Sequence, residues 1–260
     1  MKLIKIPFSA GGLGRSDGTE LAPDIIVKEL HDLFANEHGR KCGYLTEQVK
    51  VDQLNIEDTQ DAIYKKIKEQ DEKCIILGGD HSITFPCFKA FAKKYQNSGI
   101  IIFDAHPDCE NDFAPPTQED LVNAIVNQKL IPQRNMILVG IRNWDKKELD
   151  FLKKHNIRYF NMKQIFEHGI KDVCDIIMES ARQWSSLYIS IDIDAVDPAF
   201  APGTGYIEPA GLTSRELIYF IQRIRLLKNL KMVDVTEINP RKDTNNMTSK
   251  LGAKIIAEFC

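Results

Sequence analysis

The sequence predicts an α/β fold built on a mainly parallel sheet, and three observations carry that reading. Strand-like runs alternate with amphipathic helical runs from one end of the chain to the other, the order of βα units. The strand-like runs are short, apolar, rich in β-branched residues and bounded by Gly, Pro or Asp, which suits strands covered on both faces. At 260 residues the chain can bury a full core, and a single domain over 1–260 is expected.

The elements follow in order. Leu3 to Ile6 opens the pattern as a strand. Pro23 to Phe34 reads as a helix, with Pro in its first turn and Ile25, Ile26, Leu30 and Leu33 at helical spacing. The same apolar spacing places helices near Asp58 to Lys68, Ile83 to Tyr95, Gln118 to Asn127 and Lys146 to His155. Three more follow, at Lys171 to Gln183, Arg215 to Leu227 and Ser249 to Glu258. Strands are expected at Cys74 to Leu77, Gly99 to Phe103, Asn135 to Val139, Ile157 to Phe160, Leu187 to Ile191 and Lys231 to Val235. No internal repeat or low-complexity tract interrupts them. The run Pro198 to Gly205 holds enough Pro and Gly to fix a rigid turn.

Composition narrows the partners. A net charge of −3, from 34 basic and 37 acidic residues, supplies no basic face for nucleic acid. No stretch approaches the ~20 apolar residues of a membrane span, and Met1 to Gly14 has too short an apolar run for a signal peptide. The six cysteines are scattered without a CxxC pair, so reduced thiols in a soluble, unprocessed cytoplasmic protein are expected.

Three segments gather the acidic and imidazole side chains: Gly78-Gly79-Asp80-His81-Ser82, Asp104-Ala105-His106-Pro107-Asp108 and Ser190 to Pro198. Each directly follows a predicted strand. Ligand crevices of open α/β sheets lie outside the carboxyl ends of the strands, so the three segments can converge there. Alternate residues of an extended segment point the same way, which lets Asp104, His106 and Asp108 face one centre and gives Asp192 and Asp194 the same stagger. Carboxylates crowded together repel and resist ionisation unless cations compensate. Two divalent ions balance Asp104, Asp108, Asp192 and Asp194, with His81 and His106 adding neutral donors. Oxygen-rich surroundings with two imidazoles favour Mn²⁺. Two ions ~3.5–4 Å apart activate water, which makes hydrolysis the expected reaction.

Other polar residues have plainer readings. Asp80 is expected to cap the helix starting near Ser82 or to orient His81, and Asp197, before Pro198, to hold a turn. Glu110, Asp112 and Glu208 fit solvated or substrate-adjacent carboxylates equally well. His31, His38, His155 and His168 read as surface residues, and Trp144 and Trp184 as core or interface. For Arg142 a surface salt bridge is favoured over a contact with a substrate carboxylate.

Five motifs in order then give the chain a family resemblance: GGDHS at 78–82, DAHPD at 104–108, SIDIDAVDPAFAPGTG at 190–205, GLTSRE at 211–216 and EINP at 237–240. Over nearly its whole length it resembles the ureohydrolases, the arginase and agmatinase family. The resemblance implies an arginase-like three-layer α/β/α sandwich and a binuclear manganese site, two Mn²⁺ per subunit. By matching position, His81 binds the first metal, His106 the second, Asp104 and Asp192 bridge both, Asp108 binds the first and Asp194 chelates the second. Glu237 matches a carboxylate that holds a substrate guanidinium. In the implied reaction activated water attacks the amidine carbon, Asp108 takes up the proton, and an amine departs, with urea formed from a guanidine.

The family often carries a histidine after the DAH segment. There is none between Asp108 and Lys154, and Gln118 stands about where it is expected. Gln orients a substrate but does not titrate near neutrality, a difference worth up to ~10²–10⁴ in rate where a general acid–base is lost. The chain is expected to lack the long C-terminal tail that assembles some family oligomers, although the resemblance suggests trimers or hexamers. The expected activity is manganese-dependent hydrolysis of a small guanidino compound such as arginine, agmatine or a guanidino acid. A formimino substrate such as formiminoglutamate and a metal-binding homologue with altered activity are the alternatives. Histone-deacetylase-like enzymes share a related sheet but use one Zn²⁺ and different histidine pairs.

Overall fold

The structure is a computed structural model and describes residues 1–260. Its strands are β1 (Lys2–Lys5), β2 (Leu45–Gln48), β3 (Cys74–Leu77), β4 (Ser98–Phe103), β5 (Met136–Ile141), β6 (Arg158–Asn161), β7 (Ser186–Asp192) and β8 (Leu230–Thr236). They form one sheet in the order β2-β1-β3-β8-β7-β4-β5-β6, and every neighbouring pair is parallel. The strands alternate with helices α1 (Ala22–Asp32), α2 (Ile56–Lys68), α3 (Thr84–Lys94), α4 (Leu121–Asn127), α5 (Lys146–Lys154), α6 (Met162–His168), α7 (Ile170–Arg182), α8 (Ser214–Ile224) and α9 (Met247–Phe259).

Burial explains the layers. Every residue of β3, β4, β5 and β7 is buried, so these strands need cover on both faces. On one face Ile75, Leu77, Ile101, Phe103, Ile189 and Ile191 pack with the apolar sides of α1 and α6 to α9. On the other, Ile76, Ile100, Ile102 and Tyr188 pack with α2 to α5. The alternation along each strand therefore feeds two cores, and the result is the expected three-layer α/β/α sandwich.

The order of the strands positions the site. The chain builds β1, β3 and β4 with a gap between β3 and β4, and later inserts β8 and β7 into that gap. The four adjacent strands β3, β8, β7 and β4 thereby bring their carboxyl ends together. Glycine makes the closest approach possible: a Cβ on Gly79 would lie 1.8 Å from the Phe8 carbonyl oxygen, which accepts a hydrogen bond from the Asp80 amide at 2.8 Å.

The structure adds two elements that the sequence reading lacks. β2 is an exposed edge strand, Leu-Thr-Glu-Gln, and carries no apolar run to announce it. The short α6 buries only Ile165, yet its capping box, Asn161 with Gln164, is a readable signal. One boundary also moves. α4 begins at Leu121, because the Asp120 carboxylate accepts from the Thr117 amide at 2.9 Å and closes a turn first, so Gln118 sits on the loop.

The expectation of six reduced cysteines is corrected. Cys42 and Cys260 form a disulfide across 218 residues, and Cys74, Cys87, Cys109 and Cys174 are free and buried. The pairing arises because α9 packs along α1 and delivers Cys260 to the loop ahead of β2, with a Cα–Cα distance of 5.6 Å. Trp184 is a core residue stacked over Gly99, and Trp144 is half-buried against Tyr159. No helix is long and apolar enough to cross a membrane.

Candidate metal centre and cleft

The structure brings all six predicted metal-facing residues together. His81 follows β3 in a short 3-10 turn capped by Asp80, whose carboxylate accepts from the Ser82 amide at 2.9 Å and from the Gly11 amide at 2.8 Å. That is the structural role expected of Asp80. Asp104, His106 and Asp108 follow β4; Asp192 ends β7, and Asp194 lies in the turn after it. Asp108 adopts a left-handed backbone conformation at φ 50°, as does Glu237 beyond β8 at φ 59°. Non-glycine residues held there cluster at functional sites.

Two groups of ligand atoms emerge. The first holds His81, Asp104 and Asp192, the second Asp104, His106 and Asp194, and within each group the ligand atoms lie within 4.8 Å of one another. His81 Nδ1 lies 2.9 Å from Asp108 Oδ2, 3.2 Å from Asp104 Oδ2 and 3.4 Å from Asp192 Oδ2. His106 Nδ1 lies 3.0 Å from Asp194 Oδ2 and 3.6 Å from Asp104 Oδ1. Asp104 thus gives one oxygen to each side. Asp192 belongs to the first group only, whereas the resemblance makes it a second bridge.

The chemistry of this donor set fits cations. His81 Nδ1, Asp104 Oδ2 and Asp108 Oδ2 are buried and crowd one another without the alignment of a hydrogen bond, and no other group satisfies them, although buried polar atoms normally are satisfied. Burial, with the charges of Asp104 and Asp194 nearby, pushes the Asp192 carboxyl well above the usual range, and burial with Asp104 does the same to Asp108. Burial alone would depress both histidines, yet the surrounding carboxylates raise them well above the ordinary imidazole value. Protons are thereby held where a metal would replace them.

Each imidazole is aimed from behind. His81 Nε2 meets Ser190 Oγ at 3.0 Å, and Ser190 donates to Asp234 at 2.7 Å. Asp234 is fully buried and also accepts from Tyr188 (2.6 Å) and Thr84 (2.9 Å). His106 Nε2 lies 3.3 Å from Glu208, which also accepts from Asn143 at 2.7 Å. Fixing Nε2 in this way leaves Nδ1 free to ligate. Sequence reasoning missed Asp234 because a lone Asp in an apolar strand, β8, carries no motif; its placement inside the sheet was the available signal.

The groups open into a cavity of about 190 Å³. Its wall beyond the metal-facing residues includes Glu110, Gln118, Glu119, Glu148, Tyr206 and Glu237. Glu237, expected to hold a cation, accepts from the His81 amide at 2.7 Å and lies 2.8 Å from Ser16 Oγ; burial and the Asp80 charge push its carboxyl up to about 8. Gln118 is 4% exposed and shares Ser16 through Oε1 at 2.7 Å.

Several other expectations resolve. Asp197 holds a turn through the Ala199 and Gly211 amides, at 2.9 and 3.1 Å. Arg142 makes neither a salt bridge nor a contact open to substrate. Its guanidinium donates to the carbonyls of Asp194 and Glu208, both at 2.6 Å, and of Pro209 at 3.1 Å, and so pins the loop beneath Asp194. Asp112 stays outside the cavity wall, while His31 and His38 lie at the surface.

Comparison with known proteins matches this architecture. The Arginase family model covers residues 1–260. The arginase of Staphylococcus aureus (strain MRSA252) is 33% identical over 99% of this chain and 95% of its own length. Among solved structures, formimidoylglutamase from Bacillus subtilis superposes with a TM-score of 0.93 at 26% identity, over 99% of this chain and 85% of that one. Proclavaminate amidino hydrolase from Streptomyces clavuligerus gives 0.89 at 28%, over 99% and 89%. A full-length family match, a relative above 30% identity and this fold together place the chain in the arginase family, as a hydrolase of the ureohydrolase group.

Proposed function

We propose that this protein hydrolyses a C–N bond of a small linear amidine, with a guanidino compound as substrate and urea and an amine as products, using two Mn²⁺ ions. The observation that carries the reading is the Asp104 carboxylate, divided between two clusters that each have their own imidazole Nδ1. His81, Asp104, Asp108 and Asp192 would hold one ion, and His106, Asp104 and Asp194 the other. Carboxylates with two imidazoles suit Mn²⁺ better than Zn²⁺.

When bound, the ions supply Lewis-acid activation of water and substrate. The rest falls to the chain. Asp108, which faces the cavity with a buried and otherwise unpartnered Oδ2, takes the proton released as the C–O bond forms. Glu237 orients the planar amidinium, and the neutral carboxyl that burial favours gives way to carboxylate when a cation lies against it. Gln118 positions the substrate but moves no proton near neutrality. As the tetrahedral carbon collapses and the C–N bond breaks, Asp108 returns that proton to the departing nitrogen, which leaves as the amine.

A formimino substrate is the second reading, favoured by the fold likeness to formimidoylglutamase, and it would yield formamide instead of urea. The test is to load the purified protein with Mn²⁺, offer guanidino and formimino compounds, and quantify urea, formamide and ammonia beside an Asp104→Ala/Asp192→Ala control. Urea that vanishes in the control is the expected result. Silence from protein that holds two ions per chain contradicts the hydrolase reading.

A further inference from the structure

The cavity wall offers a ligand almost nothing but acceptors. Glu110 and Glu119 line it, and neither Lys nor Arg does. Glu119 is held in place by Tyr206, whose hydroxyl donates to Oε1 at 2.9 Å, and by Asn111 Nδ2 at 3.4 Å from Oε2. Glu148 adds a third negative charge, although its oxygens already accept from the Cys109 amide (3.3 Å) and the Asp145 amide (3.1 Å). The carboxylates of Glu110, Asp145 and Glu148 come within 4.8 Å of one another.

The cations nearby lie outside the wall. Arg142 is saturated by backbone carbonyls, and Arg15 stacks over the Tyr206 ring at 5.2 Å outside the wall. Lys147, 3.5 Å from Glu110, carries a side chain that is 77% exposed.

Gln118 supplies an independent observation. It is 4% exposed, lines the cavity, and its Nε2 has no hydrogen-bond partner. Behind it Ser16 Oγ has one proton but, once a bound amidinium ionises Glu237, faces two acceptors, Gln118 Oε1 at 2.7 Å and Glu237 Oε2 at 2.8 Å. Carboxamide N and O are close to interchangeable in shape, and turning the group resolves the conflict. Nε2 then donates to Ser16, Ser16 donates to Glu237, and Oε1 enters the cavity as one more buried acceptor.

We propose, resting on the amidine-hydrolase reading, that the substrate is donor-only at both ends. It is a guanidine or amidine whose remote end bears an amine and no carboxylate, and Glu119, Glu110 and the Gln118 carboxamide select it. A substrate carboxylate entering this wall would face like charge with no cation among the lining residues to answer it. The assignment separates this chain from a site built for an amino acid or a dicarboxylate.

Equilibrium binding of product-like amines to the Mn²⁺-loaded protein tests the selection without requiring turnover. By calorimetry, 1,4-diaminobutane should bind about 100-fold more tightly than 4-aminobutyrate, with ornithine between them. Glu119→Gln and Glu110→Gln should each weaken the diamine about 10-fold and leave butylamine unchanged, with metal content and circular dichroism as folding controls. Lys147→Ala should leave the order intact. Equal or tighter binding of 4-aminobutyrate, no diamine binding, or indifference to both Glu variants would overturn the proposal. Turnover is read separately, as kcat/KM for 4-guanidinobutylamine, arginine and 4-guanidinobutyrate. Diamine-selective binding with no turnover of any amidine would sink the hydrolase reading and leave the selection standing; preferred turnover of a carboxylate-ended guanidine would do the reverse.

Discussion

The two halves of the candidate metal centre share Asp104 but are built on different ground. The His81 half is anchored in the sheet: the imidazole is 2% exposed and is backed through Ser190 by Asp234, Tyr188 and Thr84, all on β7, β8 and the start of α3. The His106 half stands on loops: its imidazole is 21% exposed and is backed by Glu208 and Asn143. Buried, fully connected polar networks are rigid, whereas loop partners move at little cost. The inner half should therefore hold its ion tightly and the outer half exchange its ion beside the substrate.

Asp104→Asn breaks both halves at once and should have the largest effect. Activity should fall by more than ~10³-fold, because the activating ions and the orientation of both histidines are lost together. Bound manganese, read by plasma mass spectrometry on desalted protein, should drop below two per chain.

Removing the metal from the native chain comes next. Saturation at 100 times Kd stabilises by ~2.7 kcal/mol, so calorimetric Tm should fall by roughly 5–10 °C on chelation. An unchanged Tm would contradict metal binding at these buried side chains.

The comparison sharpens with Asp234→Asn against Glu208→Gln. Loss of a carboxylate behind a metal-ligating histidine costs ~10–100-fold in affinity, and the buried Asp234 should lie at the upper end of that range. Titration with Mn²⁺ should show Asp234→Asn weakening the tighter step and Glu208→Gln the looser one. If both variants weaken the same step, the division into inner and outer halves is wrong.

The smallest effect is on pH. Glu237 is raised from 4.5 to about 8 and Asp80 from 3.8 to about 6, both chiefly by burial. A folded carboxyl with a raised pKa binds more protons than the unfolded chain, so it contributes stability that is lost as pH rises toward the folded pKa. The raised histidines act in the same direction above their ordinary value, while Asp104, held low by His106 and His81 against burial, matters only in acid. Chelated protein should therefore lose ~3 °C of Tm between pH 6 and 8, and Mn²⁺-loaded protein should lose less, because metal binding releases protons and strengthens with pH.

How much of this was legible follows the same divide. The inner half announces itself, since Asp104 and Asp192 each close an apolar run whose character is set by burial on both faces, and His81 follows a third such run across Gly78, Gly79 and Asp80. The insertion of β8 and β7 between β3 and β4 is not local, and no residue spacing encodes it. The partners of Ser190, Ser16 and Asp234 were hidden for that reason, since each residue acquires them from a distant segment. The Cys42–Cys260 pairing was hidden in the same way. Gln118 was found by position alone, and its loop setting came from the Thr117–Asp120 turn that delays α4.

The most direct test of a two-metal centre divided at Asp104 is anomalous diffraction at the manganese edge from crystals of the Mn²⁺-loaded protein. Two peaks ~3.5–4 Å apart are expected, one beside His81 Nδ1 and one beside His106 Nδ1, with the Asp104 carboxylate between them. A single peak, or two peaks that do not share Asp104, would contradict it.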